Sequence, residues 1–537
     1  MSYIPLRQIG SGGIVSDQNP YDLELTQFPS GNNVTFHDGY LGTTLGYTLE
    51  TDQTVVGDDN GTPTYTSKQL TGVKGWMADG DSTLVVGALN RIHRWDGSDF
   101  ADVTREDAQN NKTIYTNSPR WQMEQMGLGM LANNGANVPQ YMEPDYSCFE
   151  DLPNFPSAMT TQCIKPYKSF LVMLGYEEGG NSYPYTVRWS DAYDPRGYPT
   201  SYSVTDTTTL GGENVLSGNN GQLVDQLTLN NAQIIYAERG VFAMDYVGAP
   251  FVFTFRDVFN DDGIINRGAV ASFFNQHLVV GNNDIYIHDG NQKKSIADRK
   301  VRRTFFNSIA DTRSIYCQTV TDRSEVWICY ADSDAPDTAS ANRALVYNWT
   351  QDSFTFIDLP NIRQLSVSEV IDPSGGWDDL QTEGADWDNS SLYWSNASRT
   401  TEADALKVFG VDTENSKIYL MSNSHGANGS NINSFVESRK IDLDAVLGKA
   451  TNNIKQIKGI LPQIRGSGVV NVSLGVSEAP QDPVTWQSTV GYNIDTDHKI
   501  DFRSCGRYFA IRVQSNSNAD HWQLTGLDID VEEVASR

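Results

Sequence analysis

The sequence predicts an all-β fold, and three observations carry that prediction. First, two similar segments stand far apart in the chain. One is Leu84-Val85-Val86-Gly87 followed by Ile92-His93-Arg94-Trp95-Asp96-Gly97; the other is Leu278-Val279-Val280-Gly281 followed by Ile285-Tyr286-Ile287-His288-Asp289-Gly290. Each reads as an apolar strand, a polar turn, a second strand with an aromatic residue or His near its end, and an Asp-Gly reversal. Asp-Gly after a strand is a strong hairpin signal, because Gly takes a positive φ without a Cβ clash. Second, Gly 45, Tyr 25, Phe 21 and Trp 11 suit strands and turns better than helices. Few windows show helical periodicity; the best, Leu443 to Ile457, is weak. Third, hairpin-like units recur near 76–104, 126–153, 163–205, 223–258, 270–303, 313–360 and 363–422. Their spacing of ~40–50 residues is that of a four-stranded propeller blade.

The elements follow in order. Residues 1–70 are irregular and rich in Gly, Asp, Asn and Thr, and read as an extended arm and linker. Their one strand-like piece, Asn33-Val34-Thr35-Phe36, closes at Asp38-Gly39, and Phe28 and Phe36 are its expected apolar anchors. Too polar to bury a core alone, the arm is expected to pack on another surface, and its removal to leave the propeller folded. Residues 71–435 read as a β-propeller of about seven blades, with six as the alternative. Loop insertions are expected near 205–220 and 372–398; the second carries Trp377, Trp387 and Trp394. Residues 436–537 read as a β-sandwich, because Gly468 to Gly475, Phe502 to Val513 and Trp522 to Val531 alternate apolar and polar.

Charge and cysteine usage narrow the function. Lys plus Arg is 39 against 67 for Asp plus Glu, a net charge of −28. Such a chain does not condense on DNA by counterion release unless a local basic patch overrides the total. It suits a surface that lets DNA slide. The exceptions are Lys293-Lys294 and Arg299-Lys300-Val301-Arg302-Arg303, which read as a solvated or subunit-facing patch. The five Cys, at 148, 163, 317, 329 and 505, show no C-x-x-C spacing and read as reduced structural residues. Met1 to Gly13 lacks the apolar core of a signal peptide, and no run is long enough to span a membrane.

Catalytic signatures are not evident. Asp58-Asp59, Asp261-Asp262 and Asp378-Asp379 sit in turn-like contexts. The seven His form no zinc-binding pattern, and His93 and His288 read as packed, hydrogen-bonded residues. No nucleophile elbow, phosphate-binding loop or dinucleotide fingerprint appears. Ser477 to Trp486 loosely resembles the Asp-box turn of sialidases, without its spacing, and reads as a β-turn. The reading is therefore of no enzyme, with no catalytic, cofactor or metal residue assigned.

Several segments resemble one family. Asn33-Val34-Thr35-Phe36-His37-Asp38-Gly39, running on to Gly46, resembles the opening of the tail nozzle proteins of short-tailed bacteriophages, also called tail tubular or DNA-stabilisation proteins. Asn134 to Tyr141, Val187 to Asp191 with Asp194-Pro195, and Gly240 to Tyr246 through Gly263, Ile264 and Ala269 resemble its blade turns and central blades. Gly506 to Arg512 and Trp522 to Val531 resemble its C-terminal end. The resemblance implies a structural virion protein, made in the host cytoplasm and assembled as a hexameric ring at the distal end of the tail. It implies docking on an adaptor ring below the portal, a DNA channel closed until infection, and partners among needle, fibre or tailspike proteins. DNA would pass without sequence-specific binding. The alternative from the residues is a carbohydrate-binding or carbohydrate-cleaving propeller.

Overall fold

The computed structural model describes residues 2–51, 69–78, 81–95, 100–116, 120–194, 197–216, 220–369, 406–413, 417–443 and 453–535. The chain is all-β, with 56% of residues in strands and 4% in helix, arranged as many small antiparallel sheets. Five four-stranded sheets succeed one another along the sequence. Their first strands are β1 (Leu70–Ala78), β2 (Gln122–Met126), β3 (Met159–Tyr167), β4 (Leu223–Leu229) and β5 (Val270–Phe273). A seven-stranded sheet follows, opening on β6 (Tyr316–Val320). Its strand β7 (Ser353–Ser368) pairs with Ala341–Asn348 along its first half and with Lys407–Asp412 along its second. Register shifts near Ile362 divide the two halves. The seven strands pack side by side in sequence order, and β7 returns to β1, so the contacts close into a circuit.

The outermost strand of the last sheet comes from the other end of the chain. Tyr47–Thr51 pairs with Ile418–Met421, placing Met421 opposite Tyr47 and Leu420 opposite Thr48. Two further six-stranded sheets complete the molecule. One is built on the long strands Ile454–Ser467 and His521–Ala535, the other on Val469–Ser477 and Tyr508–Ser517. Alternation is strict in Ile500–Gly506, where Ile500, Phe502 and Ser504 are buried and Asp501, Arg503 and Cys505 are exposed. A single apolar core runs through Ile457, Leu474, Ile511 and Trp522 of these sheets, Phe354 of β7, and Phe28, Val34 and Phe36 of the N-terminal segment.

The N-terminal segment holds more regular structure than its composition suggests. Ser2–Arg7 pairs with His521–Ala535, and Ser30–Asn32 pairs with Ile432–Glu437. Val34–His37 and Tyr40–Thr43 form a hairpin whose second strand also adds to His521–Ala535. Its turn is the expected Asp-Gly: Asp38 and Gly39 both have positive φ, at 46° and 79°, as a primed turn requires. Phe28 and Phe36 are buried with ring centroids 5.7 Å apart, as expected of anchors. The surface that orders the segment is its own chain. Residues 1–50 supply core side chains and four strands of the two C-terminal sheets.

Two polar contacts fasten this segment. Asn33 is 3% exposed and has φ 54°. Its Nδ2 donates to Asp358 Oδ2 at 2.7 Å and to Asn433 O at 3.0 Å, and its Oδ1 accepts from Asp358 N–H at 2.8 Å. One side chain thus ties the arm to β7 and to the strand Ile432–Glu437. Asp17 caps the short helix Arg302–Ser308, which lacks a cap of its own. Its carboxylate accepts from the N–H groups of Arg303 at 2.6 Å and Thr304 at 3.0 Å, satisfying two orphan donors at the positive end of the helix dipole. The basic run 299–303 is therefore engaged within the chain: Lys300 pairs with Asp352, Arg302 with Asp298, and Arg303 with the Asp17 carbonyl.

Other local expectations differ from the structure. The stretch 205–220 is not wholly a loop, since Gly212–Val215 is the outer strand of the third sheet. Of the weak helical window Leu443 to Ile457, Ile454 to Ile457 are strand. Asp58-Asp59, the insertion near 372–398 with its three Trp, and Asp378-Asp379 lie outside the described residues. No helix among the described residues is long and apolar enough to cross a membrane.

Asn33→Ala is expected to lower stability by about 3 kcal/mol in urea unfolding, since it loses three buried hydrogen bonds and places a Cβ residue without local compensation at positive φ. Asn33→Gly is expected to recover the backbone part only. Equal stability of Ala and Gly variants would show that the side-chain bonds carry the whole effect.

Candidate functional site

The innermost strands enclose a polar axial cavity of about 270 Å³. Strand alternation turns one charged residue from each of four neighbouring strands toward it. Lys74 of β1, Glu124 of β2, Lys165 of β3 and Asp225 of β4 form a ladder of alternating sign. Lys74 Nζ lies 3.2 Å from Glu124, and Lys165 Nζ lies 3.9 Å from Glu124 and 3.0 Å from Asp225. Asp225 is 1% exposed and also accepts the N–H groups of Gln226 and Gly268 at 2.8 Å each.

Burial alone would raise the Asp225 pKa, but the Lys165 ammonium and the Gly268 N–H outweigh it and hold the carboxyl below its ordinary value. The same exchange acts on Lys165: burial pulls it down, and Asp225 with Glu124 raises it above the usual lysine value. Cys163 Sγ lies 3.5 Å from Asp225, and burial with that negative neighbour pushes the thiol up to about 12. The ladder is a set of fixed, mutually neutralised charges.

At the N-terminal ends of β2, β5 and β6 a second cavity of about 790 Å³, the mouth, shares Arg120 and Arg267 with the first. Arg120, Arg267, Arg313 and Arg363 line it, together with Glu177 and Glu238. Arg120 and Arg267 brace each other. The Arg120 guanidinium donates to the carbonyls of Arg267, Ser314 and Ile315, and the Arg267 guanidinium donates to those of Arg120 and Gln162. Burial, then Arg363 and Arg267, pull the Arg120 pKa down to about 10. Sequence reasoning missed these residues. The signal that finds them is positional: Arg120, Arg267 and Arg313 each stand two or three residues before an inner strand, and Arg363 opens the second half of β7.

The residues singled out in the sequence lie elsewhere. His288 is buried and hydrogen-bonded, as expected. Gly290 N–H donates to His288 Nδ1 at 3.2 Å, which leaves Nε2–H to donate to Tyr236 Oη at 2.7 Å. The Tyr236 hydroxyl then donates to His277 Nδ1 at 2.7 Å, and His277 Nε2–H to Thr228 O at 3.0 Å. This relay assigns both tautomers and is complete only with both rings neutral. Burial pulls His277 down to about 3 and His288 to about 4. His93 is packed, with burial lowering it to about 4, but its Nδ1 has no hydrogen-bond partner. Asp261 and Asp262 both pair with Lys293 at the surface. Ser477 to Trp486 forms a turn: Asp482 N–H donates to Ala479 O, and Lys440 Nζ donates to Pro480 O at 2.8 Å. No group of three or more His, Cys, Asp or Glu among the described residues is arranged to hold a metal ion.

No protein-family model matches the chain, and no curated protein matches it. Among solved structures it is similar to the extracellular domain of a putative hybrid two-component system from B. thetaiotaomicron, at 10% identity and a TM-score of 0.38. The similarity covers 69% of this chain and 45% of that one, so the chain spans less than half the length of that structure.

Asp225→Asn is expected to cost about 3–5 kcal/mol, because Lys165 is left buried with only Glu124 nearby. The double variant with Lys165→Met is expected to recover part of the loss, as read by urea midpoints. Acid acts on the His relay. Both folded-state values lie below the unfolded value, so the relay stabilises the fold above about pH 6.5 and is lost as pH falls toward 4. His277 alone is expected to remove about 3 kcal/mol across that window. A His277→Gln, His288→Gln variant should start lower at pH 7 and decline less; parallel declines would overturn this assignment.

Proposed function

We propose that this chain is the tail nozzle subunit of a short-tailed bacteriophage. Its seven groups of strands make a seven-bladed β-propeller, its last two sheets a β-sandwich, and its first residues an arm locked onto both. Six copies form the distal ring of the tail, docked on the adaptor and carrying needle, fibre or tailspike partners. The ring lets DNA pass without sequence-specific binding. The chain acts in the virion, after synthesis in the host cytoplasm.

The observation that carries the reading is where the family-like segments fall. Asn33 to Gly46 spans the latch and hairpin of the arm. Asn134 opens the turn after Asn133, its Oδ1 accepting from Ala136 and Asn137 N–H. Arg188 is buried, bonded to Tyr202 O and to Glu178, and Asp191 gathers the loop beyond it. Trp522 to Val531 is the strand that receives both the arm and the hairpin. The resemblance thus rests on residues that set junctions, which is what relatives sharing an architecture share. The axial ladder favours a scaffold over the carbohydrate-cleaving alternative, because Glu124 and Asp225 are each ion-paired to a lysine rather than facing open space.

Electron microscopy of the purified chain is expected to reveal a sixfold ring with an axial hole. A monomer that binds or cleaves glycans would overturn the proposal. Tight, salt-sensitive binding of duplex DNA would overturn the sliding channel.

A further inference from the structure

We propose that the arginine-lined mouth of the axial cavity is a binding site for a small phosphate ester with a hydroxyl-bearing body. This goes beyond the nozzle reading and does not depend on it.

The argument begins with unmatched charge. Several buried cations of this acidic chain are matched by carboxylates: Lys165 by Asp225, Arg91 by Asp102, Arg188 by Glu178. At the mouth, the hydrogen bonds of Arg120 and Arg267 go to backbone carbonyls, Arg120 also lies over the Tyr316 ring at 5.0 Å, and no carboxylate among the described residues lies within ion-pair distance of either. Both residues are half-buried, and a neutral carbonyl does not cancel the charge of a guanidinium. Each guanidinium carries five N–H donors, so both retain donors beyond those bonds. Arg313 and Arg363 add positive charge, partly offset by Asp311 at 2.8 Å and Asp337 at 4.0 Å.

Several guanidinium forks on one cavity match a phosphate dianion better than a single carboxylate, in both charge and acceptor number. The cavity of about 790 Å³ is in the range of small-molecule sites, well beyond inorganic phosphate alone. Glu177 and Glu238 on the same lining repel a second anion and accept from hydroxyl groups. The body of the ligand is therefore polar and uncharged.

The test is calorimetric titration of the full chain with ribose 5-phosphate, inorganic phosphate and ribose at constant ionic strength. Ribose 5-phosphate is expected to bind saturably, about tenfold more tightly than phosphate, with ribose alone silent. Arg120→Gln and Arg267→Gln are expected to weaken it at least about tenfold with an unchanged circular dichroism spectrum. Because both residues also brace strands, Arg313→Gln is the second variant: its side chain is 85% exposed, and a loss of about threefold is expected. Glu238→Gln is expected to weaken the ester and not inorganic phosphate. No saturable binding up to about 10 mM, or affinity unaltered in Arg313→Gln, overturns the proposal.

Discussion

Everything in this chain depends on pairing its two ends. Sheets packed against one another leave an uncovered face at each end of the row, and each sheet's outer strand is an edge prone to wrong partners. Here the row closes through contact of β7 with β1, and the last sheet is finished by Tyr47–Thr51 from far upstream. The residues just before that strand are themselves held in place. Asn33 seats them, with bonds to Asp358 and Asn433, and Thr44 N–H donates to the Asn33 carbonyl. The closing strand, the hairpin and the C-terminal sheets are therefore one mechanical unit. Closure is long-range in sequence and carries a loop-closure cost.

Electrostatics inside the circuit follow a different rule from the surface. The net charge of −28 describes a solvated exterior. Along the axis, charges alternate strand by strand, and the buried Asp225 carboxylate is held by Lys165 and two backbone N–H groups. The ladder links four consecutive inner strands by side chains as well as by packing. It also fixes their relative height, since a register slip in any one would strand a buried charge.

Much of the local architecture was legible in the residues. The Asp38-Gly39 reversal and the turn at Asp289-Gly290, where Gly290 has φ 88°, declare themselves because the required backbone angles demand those residues. The alternation in Ile500–Gly506 is equally plain, as one face is buried. What escaped was non-local. The helix Arg302–Ser308 buries only Phe305, has no apolar stripe and takes its cap from Asp17, so nothing nearby announces it. The first fifty residues looked too polar for a core because their few apolar residues, Val34, Phe36 and Leu41 among them, enter a core built mostly by other segments. Composition measures what a segment can bury alone, not what it can complete.

The same reasoning explains why the arginine mouth has no motif. Its members are scattered from Arg120 to Arg363, and each is ordinary in its own neighbourhood. They meet because Arg120, Arg267 and Arg313 each stand just before an inner strand, and Arg363 stands at the register shift of β7. A site assembled this way needs only one side chain per inner strand and no shared sequence. The fold supplies the convergence, and the chain supplies single side chains at equivalent places. Such sites are found by aligning the starts of the inner strands, not by reading along the chain. In this protein that alignment brings four guanidinium groups to one opening, two of them without a carboxylate partner among the described residues.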